Sequence, residues 1–71
     1  MKVYNIYKVN DTYTKHDYCA TVTARNEVVA LRNYAKGLMN SGTKEIIYND
    51  FRHEHELMTS YGACFVATER K

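Results

Sequence analysis

Proline and tryptophan are absent from this chain of 71 residues, and cysteine occurs only twice. A disulfide-stapled domain of this size usually carries more cysteines, so we expect Cys19 and Cys64 to be buried free thiols. No stretch approaches the roughly 18 apolar residues that a membrane-spanning helix needs. The opening residues, MKVYN, also lack the apolar core of a secretory signal peptide. These absences lead us to expect a cytoplasmic protein that has no membrane partner.

Sequence features that bind phosphate or catalyse reactions are also scarce. The three glycines are scattered and form no phosphate-binding loop. Ten basic and eight acidic residues leave a net charge of +2, without a dense basic run. That charge is far from the strongly basic footprint of a typical nucleic-acid binder. Since so short a chain has little room for an enclosed pocket beside its core, we expect neither an enzyme nor a bound cofactor.

Apolar and aromatic residues are what the chain has in quantity. Hydrophobic residues make up 45% of the sequence, and seven residues are tyrosine. This composition predicts a folded chain, and its length predicts one domain over residues 1–71. Tyrosine suits half-buried sheet surfaces and is also enriched in binding interfaces. The tyrosines are therefore either packing residues of a sheet or contact residues of a binding surface.

Alternating and β-branched segments predict strands. Residues 2–9 and 14–24 are two such segments, and the cluster NDTY at 10–13 joins them as a turn, so they should form an antiparallel hairpin. In the second segment, Tyr18, Ala20, Val22 and Ala24 should share one face of the strand. Three further strands are predicted at 44–49, 51–58 and 63–68, and the last of these is apolar on both faces, as expected inside a sheet.

A helical period separates the second and third strands. Apolar residues recur from Val28 through Leu31 to Met39 at helical spacing, Asn26 is placed to cap the start, and Gly42 is placed to end the helix. The resulting order is β-β-α-β-β-β. We predict an α+β fold, a two-layer sandwich in which an antiparallel sheet of 4–5 strands carries one helix on one face.

The segment FRHEHEL, which begins at Phe51, resembles a chemical site more than any other stretch. As a strand, it places His53 and His55 on one face, where two imidazoles could bind a metal with help from His16, Cys19 or Cys64. Its other interpretations are a solvated face with charged cross-strand pairs, which we favour, and a histidine-based, pH-responsive interface. Periodicity over eight residues also leaves a helix open.

One helix covers only one face of such a sheet, so the second face should stay available for docking. We predict a module that binds another protein by occupying part of its surface, with a homodimer as a further expectation. The expected partner-binding residues are Tyr4, Tyr48, Arg52, His53, His55, Glu56 and Tyr61. The alternative is binding of single-stranded nucleic acid, in which sheet tyrosines stack on bases and lysines meet phosphates. The residues for that role are Tyr4, Tyr48, Tyr61, Lys2, Lys8 and Lys44.

In its length, its tyrosine content and its lack of proline, the chain loosely resembles the small accessory proteins that phages encode. That resemblance rests on overall composition and gives no individual residue a role. It implies inhibition of a partner protein by occlusion.

Overall fold

A computed structural model describes residues 1–9, 17–38 and 42–70. Within these residues, five strands and one helix follow one another in the β-β-α-β-β-β order, which confirms the prediction. The strands form one antiparallel sheet with the spatial order β2-β1-β5-β4-β3, and the helix covers one face of it, as predicted. The elements are β1 (Lys2–Val9), β2 (Asp17–Ala24), α1 (Glu27–Ala35), β3 (Lys44–Asn49), β4 (Glu54–Thr59) and β5 (Cys64–Glu69).

The helix begins where the sequence predicts it to begin. The side-chain oxygen of Asn26 accepts a hydrogen bond from the Val29 amide at 2.9 Å, which satisfies one of the unpaired donors of the first turn. Glu27 follows in that first turn, where the helix dipole favours a carboxylate. Short-range sequence chemistry therefore fixes this end of the helix.

The helix ends earlier than predicted, at Ala35, with Lys36 as its C-cap. The amides of Gly37 and Leu38 bond to carbonyls three residues back, each at 3.0 Å, so the last turn tightens and stops. Glycine weakens a helix by about 1 kcal/mol relative to alanine, which explains a stop at this point. Gly42 does adopt a left-handed conformation, with φ of 71°, but there it leads into β3. Met39 and the two residues after it lie outside the described residues.

The core lies between the helix and one face of the sheet. Leu31 and Ala30 are fully buried in it, and the partly buried Val29, Tyr34 and Ala35 of the helix pack against the same cluster. The strands contribute the other buried members of this cluster, Tyr4, Ile6, Ala24, Leu57, Phe65 and Ala67. These residues alternate along their strands with the residues of the opposite face, as period-2 side-chain geometry requires.

A bulge in β2 overturns one predicted face assignment. Ile6 pairs with Ala20 but Tyr7 pairs with Tyr18, so Cys19 is an extra residue in β2. The Tyr18 ring therefore contacts Tyr7 edge-on, with centroids 6.0 Å apart, on the face opposite Ala20. The prediction that Tyr18 shares a face with Ala20 was wrong, because a bulge shifts the alternation by one residue. The predicted start of this strand at 14–16 lies outside the described residues.

The second face of the sheet is less open than predicted. Val9, Glu56 and Val66 all lie on this face, yet all three are buried within the single chain. The expectation of a freely accessible second face was therefore wrong for its centre. Accessible apolar side chains lie instead at the margins, at Tyr18 and Ile47.

The segment 51–58 is neither one continuous strand nor a helix. Residues 50–53 form a turn, and β4 starts only at Glu54. His53, the last residue of this turn, has a φ of 54°, a left-handed value that few non-glycine residues adopt. The predicted strand at 63–68 is present one residue later, at Cys64–Glu69, and lies inside the sheet between β1 and β4, as expected.

Candidate functional site

The turn between β3 and β4, residues 50–53, is named the hairpin tip, and the side chain of Asn49 holds its backbone. Asn49 accepts hydrogen bonds from the backbone amides of Phe51 at 2.9 Å and Arg52 at 3.2 Å. Its side-chain nitrogen donates to a carboxylate oxygen of Glu56 at 3.0 Å. Because Glu56 is buried, Asn49 ties the exposed turn to the interior of the sheet.

The hairpin tip presents an aromatic ring to solvent. Phe51 is 96% exposed, more than any other large apolar side chain of the described residues. Arg52 beside it forms an ion pair with Glu54, the Nε to Oε2 distance being 3.9 Å. The expectation of a solvated face with charged cross-strand pairs was wrong for Glu56, because its side chain turns into the protein and accepts a hydrogen bond from Asn49. An apolar ring on a fixed turn is well suited to enter a pocket of another molecule.

A second group of side chains joins the helix to β4. His55 Nδ1 lies 2.7 Å from Glu27 Oε1, at the helix start. The Tyr48 ring contacts the His55 ring edge-on, with centroids 5.0 Å apart. The His55 side chain therefore lies on the helix side of the sheet. Its contacts with Glu27 and Tyr48 stabilise the β3–β4 hairpin against the helix.

The structure distributes the sequence-predicted partner-binding residues over separate places. Tyr4 is only 5% exposed and Glu56 is buried, so neither side chain is available on the surface. Tyr61 is 77% exposed on the β4–β5 turn, at the opposite end of β4 from the hairpin tip. Tyr48, Arg52, His53 and His55 lie in or beside the β3–β4 hairpin.

Sequence reasoning missed Phe51 because it assigned the residue to a strand face. The available signal was Asn49 followed by Asp50, since asparagine in this position bonds the amides of the next residues and makes a turn. A turn directly after Asn49, in place of a strand beginning at residue 51, puts Phe51 in that turn, where its side chain has no place in the core.

The two histidines of the segment are not arranged as metal ligands. His53 lies in the turn, whereas His55 is paired with Glu27, so the prediction that both share one strand face was wrong. Within ranges 1–9, 17–38 and 42–70, no group of three or more His, Cys, Asp or Glu side chains is placed to hold a metal. His16 lies outside these ranges.

Both cysteines are free, but they differ in their surroundings. Cys19 is exposed, so the expectation of a buried thiol was wrong for it. Cys64 is partly buried, and burial raises its pKa to about 11, helped by the nearby carboxylates of Glu56 and Glu54. Burial and a hydrogen bond with Cys19 raise the pKa of Tyr34 to about 12. At neutral pH Cys64 is a protonated thiol and hence a poor nucleophile.

One shallow pocket, of about 140 Å³, lies at the end of the sheet where Tyr61 is found. Its lining is Thr43, Glu45, Met58, Thr59 and Ser60. Small-molecule sites usually enclose roughly 300–1,000 Å³, so this hollow is too small for most ligands.

In the described part of the chain, no helix has the length and apolarity needed to cross a membrane.

The residues expected to bind nucleic acid do not form one surface. Tyr4 is buried, and Lys2 lies 3.6 Å from a Glu69 carboxylate oxygen. Tyr48 and Tyr61 are exposed but lie toward opposite ends of the β3–β4 pair. Bases stacked on these two rings would have no continuous platform between them.

Comparison of the chain with protein-family models, with curated proteins and with solved structures gave no match.

Proposed function

We propose that this protein is a small protein-binding module that inserts Phe51 into an apolar pocket of a partner protein. The exposure of Phe51 on a turn fixed by Asn49 is the observation that carries the proposal. Fully burying a phenylalanine side chain contributes roughly 1.5–3 kcal/mol. The exposed Phe51 ring lacks that stabilisation in the isolated chain, and burial in the partner's pocket would supply it as binding free energy.

Preorganisation of the turn favours affinity. Two hydrogen bonds from Asn49 hold the amides of Phe51 and Arg52, so less backbone entropy is lost when the ring docks. Arg52 supplies a guanidinium next to the ring, and arginine is among the residue types enriched in binding hot spots. The partner surface in this proposal is an apolar pocket with a polar rim that can meet Arg52.

The mode of action in this proposal is occlusion of a partner's surface in the cytoplasm, without catalysis. The two free cysteines are typical of a reducing compartment. The resemblance to phage accessory proteins favours an inhibitor over an adaptor. Single-stranded nucleic acid is not proposed as the ligand, because Tyr4 is buried and the exposed tyrosines are separated.

Affinity capture from the source cells, followed by a measured dissociation constant for the recovered partner, tests the proposal. Phe51→Ala should weaken binding about 10- to 150-fold, the loss expected from about 1.5–3 kcal/mol. Tyr61→Ala is the matched control, because it removes an exposed aromatic ring at the other end of β4, and it should change the constant less than about twofold.

Equal binding by Phe51→Ala and the unaltered chain would refute the proposed site. Binding of single-stranded oligonucleotides, titrated with salt, tests the alternative class. Nucleic-acid binding would be the function if affinity for the oligonucleotide falls steeply with added salt and is also reduced by Tyr48→Ala and by Tyr61→Ala.

A further inference from the structure

β3 forms one edge of the described sheet. β3 ends the spatial order of the sheet, and within the described part of the chain it pairs with β4 alone. Edge strands of this kind expose a row of backbone donors and acceptors that another strand can pair with. The question is which residues of β3 face outward and what strand fits them.

Hydrogen bonds at the ends of the hairpins fix the orientation of the β3 backbone. The Ser60 amide donates to the Thr43 carbonyl at 2.9 Å, and the β3–β4 register continues from this pair without a break. Bonded and non-bonded positions alternate in an antiparallel pair. Glu45, Ile47 and Asn49 therefore bond β4, and the backbone groups of Lys44, Ile46 and Tyr48 point outward.

The neighbouring pair supports the same assignment. The Thr59 amide donates to the Ala63 carbonyl of the β5 side at 2.9 Å, so Thr59 does not turn its amide toward its β3 partner, Lys44. Lys44 is then a non-bonded position with respect to β4. Two independent hydrogen bonds thus agree on which residues of β3 have outward backbone groups.

The two edges of the sheet are not equally protected. The β2 edge is interrupted by the bulge at Cys19, a feature that discourages strand addition. β3 has six regular pairs with β4, no bulge and no proline. Its centre, Ile46-Ile47-Tyr48, carries no charge, and Ile47 and Tyr48 are 40% and 50% exposed. β3 is therefore the edge suited to pairing with another strand.

We propose that β3 pairs with β3 of a second copy of this chain, antiparallel, about a two-fold axis at Ile47. Ile46 of each copy then lies opposite Tyr48 of the other, and both have outward backbone groups, so each pair can exchange two hydrogen bonds. Ile47 meets its own counterpart on the opposite face. The two sheets become one continuous sheet.

Side-chain complementarity selects this register. With the axis at Ile47, Lys44 lies opposite Asp50 and Glu45 lies opposite Asn49, so no like charges face each other. Moving the axis to Ile46 places Glu45 opposite Ile47, and moving it to Tyr48 places Ile46 opposite Asp50. Only the Ile47 register matches apolar with apolar residues and a cation with an anion, which is why a second copy is the strand we assign to this edge.

Sedimentation equilibrium of the full chain, measured up to millimolar concentration, tests for the dimer. The unaltered chain should show a concentration-dependent dimer. Ile47→Lys should remove it, because two lysines would meet at the axis, while Thr23→Lys on the β2 edge should leave it unchanged. Mixing Ile47→Lys with Ile47→Glu should restore a dimer, since opposite charges then face each other.

Disulfide cross-linking tests the register. Ile47 faces its counterpart at a non-bonded position, where Cα atoms lie about 4.5 Å apart, within the range that a disulfide spans. In a chain with Cys19→Ala and Cys64→Ala, Ile47→Cys should oxidise to a covalent dimer. Glu45→Cys should not, because the two positions 45 would lie roughly 13 Å apart along the strands.

A chain that stays monomeric at every concentration would overturn the proposal. A dimer that survives Ile47→Lys, or that cross-links through Glu45→Cys in preference to Ile47→Cys, would do the same. The inference does not depend on the role of Phe51. Phe51→Ala should leave the dimer intact, and its effect on partner binding is measured separately.

Discussion

Replacing Asn49 should loosen the hairpin tip and destabilise the whole protein. Its side chain makes three hydrogen bonds, two to turn amides and one to the buried Glu56 carboxylate. Loss of a hydrogen bond to a buried charged group costs about 1.5–3 kcal/mol, and the two exposed turn bonds add about 0.5 kcal/mol each. Asn49→Ala should therefore lower the free energy of unfolding by about 2.5–4 kcal/mol.

That loss is large for a chain of this size. At about 0.05–0.15 kcal/mol per residue, 71 residues give a total free energy of unfolding of about 4–11 kcal/mol. Urea unfolding measures the loss, and NMR order parameters report on the turn. In Asn49→Ala, the order parameters of the Phe51 and Arg52 amides should fall.

Asn49→Asp separates the two functions of the side chain. Aspartate keeps the acceptor for the turn amides but replaces the donor to Glu56 with a second carboxylate oxygen. The turn should stay ordered while the protein is destabilised at least as much as by Asn49→Ala. In a Glu56→Gln background, the cost of Asn49→Ala should shrink, because the buried charge is gone. An Asn49→Ala variant within about 0.5 kcal/mol of the unaltered chain, with an ordered turn, would refute this account.

Three further predictions follow from the core, the thiol and the turn. Leu31→Ala should lower the free energy of unfolding by about 2.7–5 kcal/mol, since Leu31 is fully buried between the helix and the sheet. Replacing its exposed neighbour, Arg32→Ala, should cost less than about 0.5 kcal/mol in the same urea assay. In a Cys19→Ala chain, thiolate absorbance should show that Cys64 titrates near its raised pKa of about 11 instead of its ordinary 9. Because the pKa is raised in the folded state, the contribution of the Cys64 thiol to stability is complete below pH 9 and is lost as the pH rises toward 11. Cys64→Ala should reduce this decline in stability. His53→Gly should be more stable than His53→Val by at least about 1 kcal/mol, because position 53 has a left-handed backbone that a β-branched residue tolerates poorly; equal unfolding midpoints would contradict this.

Local sequence chemistry was enough to place most elements. The Asn26 cap works through atoms three residues apart, so it is readable without any tertiary information. Alternating and β-branched segments likewise identified strands near their true bounds. The early end of the helix at Ala35 could also have been predicted, because Gly37 is a weak helix former and lies two residues beyond Ala35, next to the Lys36 C-cap.

The candidate site was harder to predict, because it depends on where β3 ends. Treating 51–58 as a strand paired His53 with His55 and hid Phe51, whereas the Asn49 turn separates them and exposes the ring. Tyr4 could not be assigned from β1 alone, since both faces of that strand are apolar and only the position of the helix decides which one is the core.

By itself, the sequence determined the order of the elements, the cap of the helix and the class of the fold, since each depends on residues near one another in the chain. Tertiary structure alone decided the strand order, the shift of Tyr18 to the other face and the burial of Glu56, since these depend on contacts between distant segments. Strand order decides which strand is left at the edge of the sheet. β3 became an edge because β5 returned to pair between β1 and β4, and no local pattern within β3 specifies that placement.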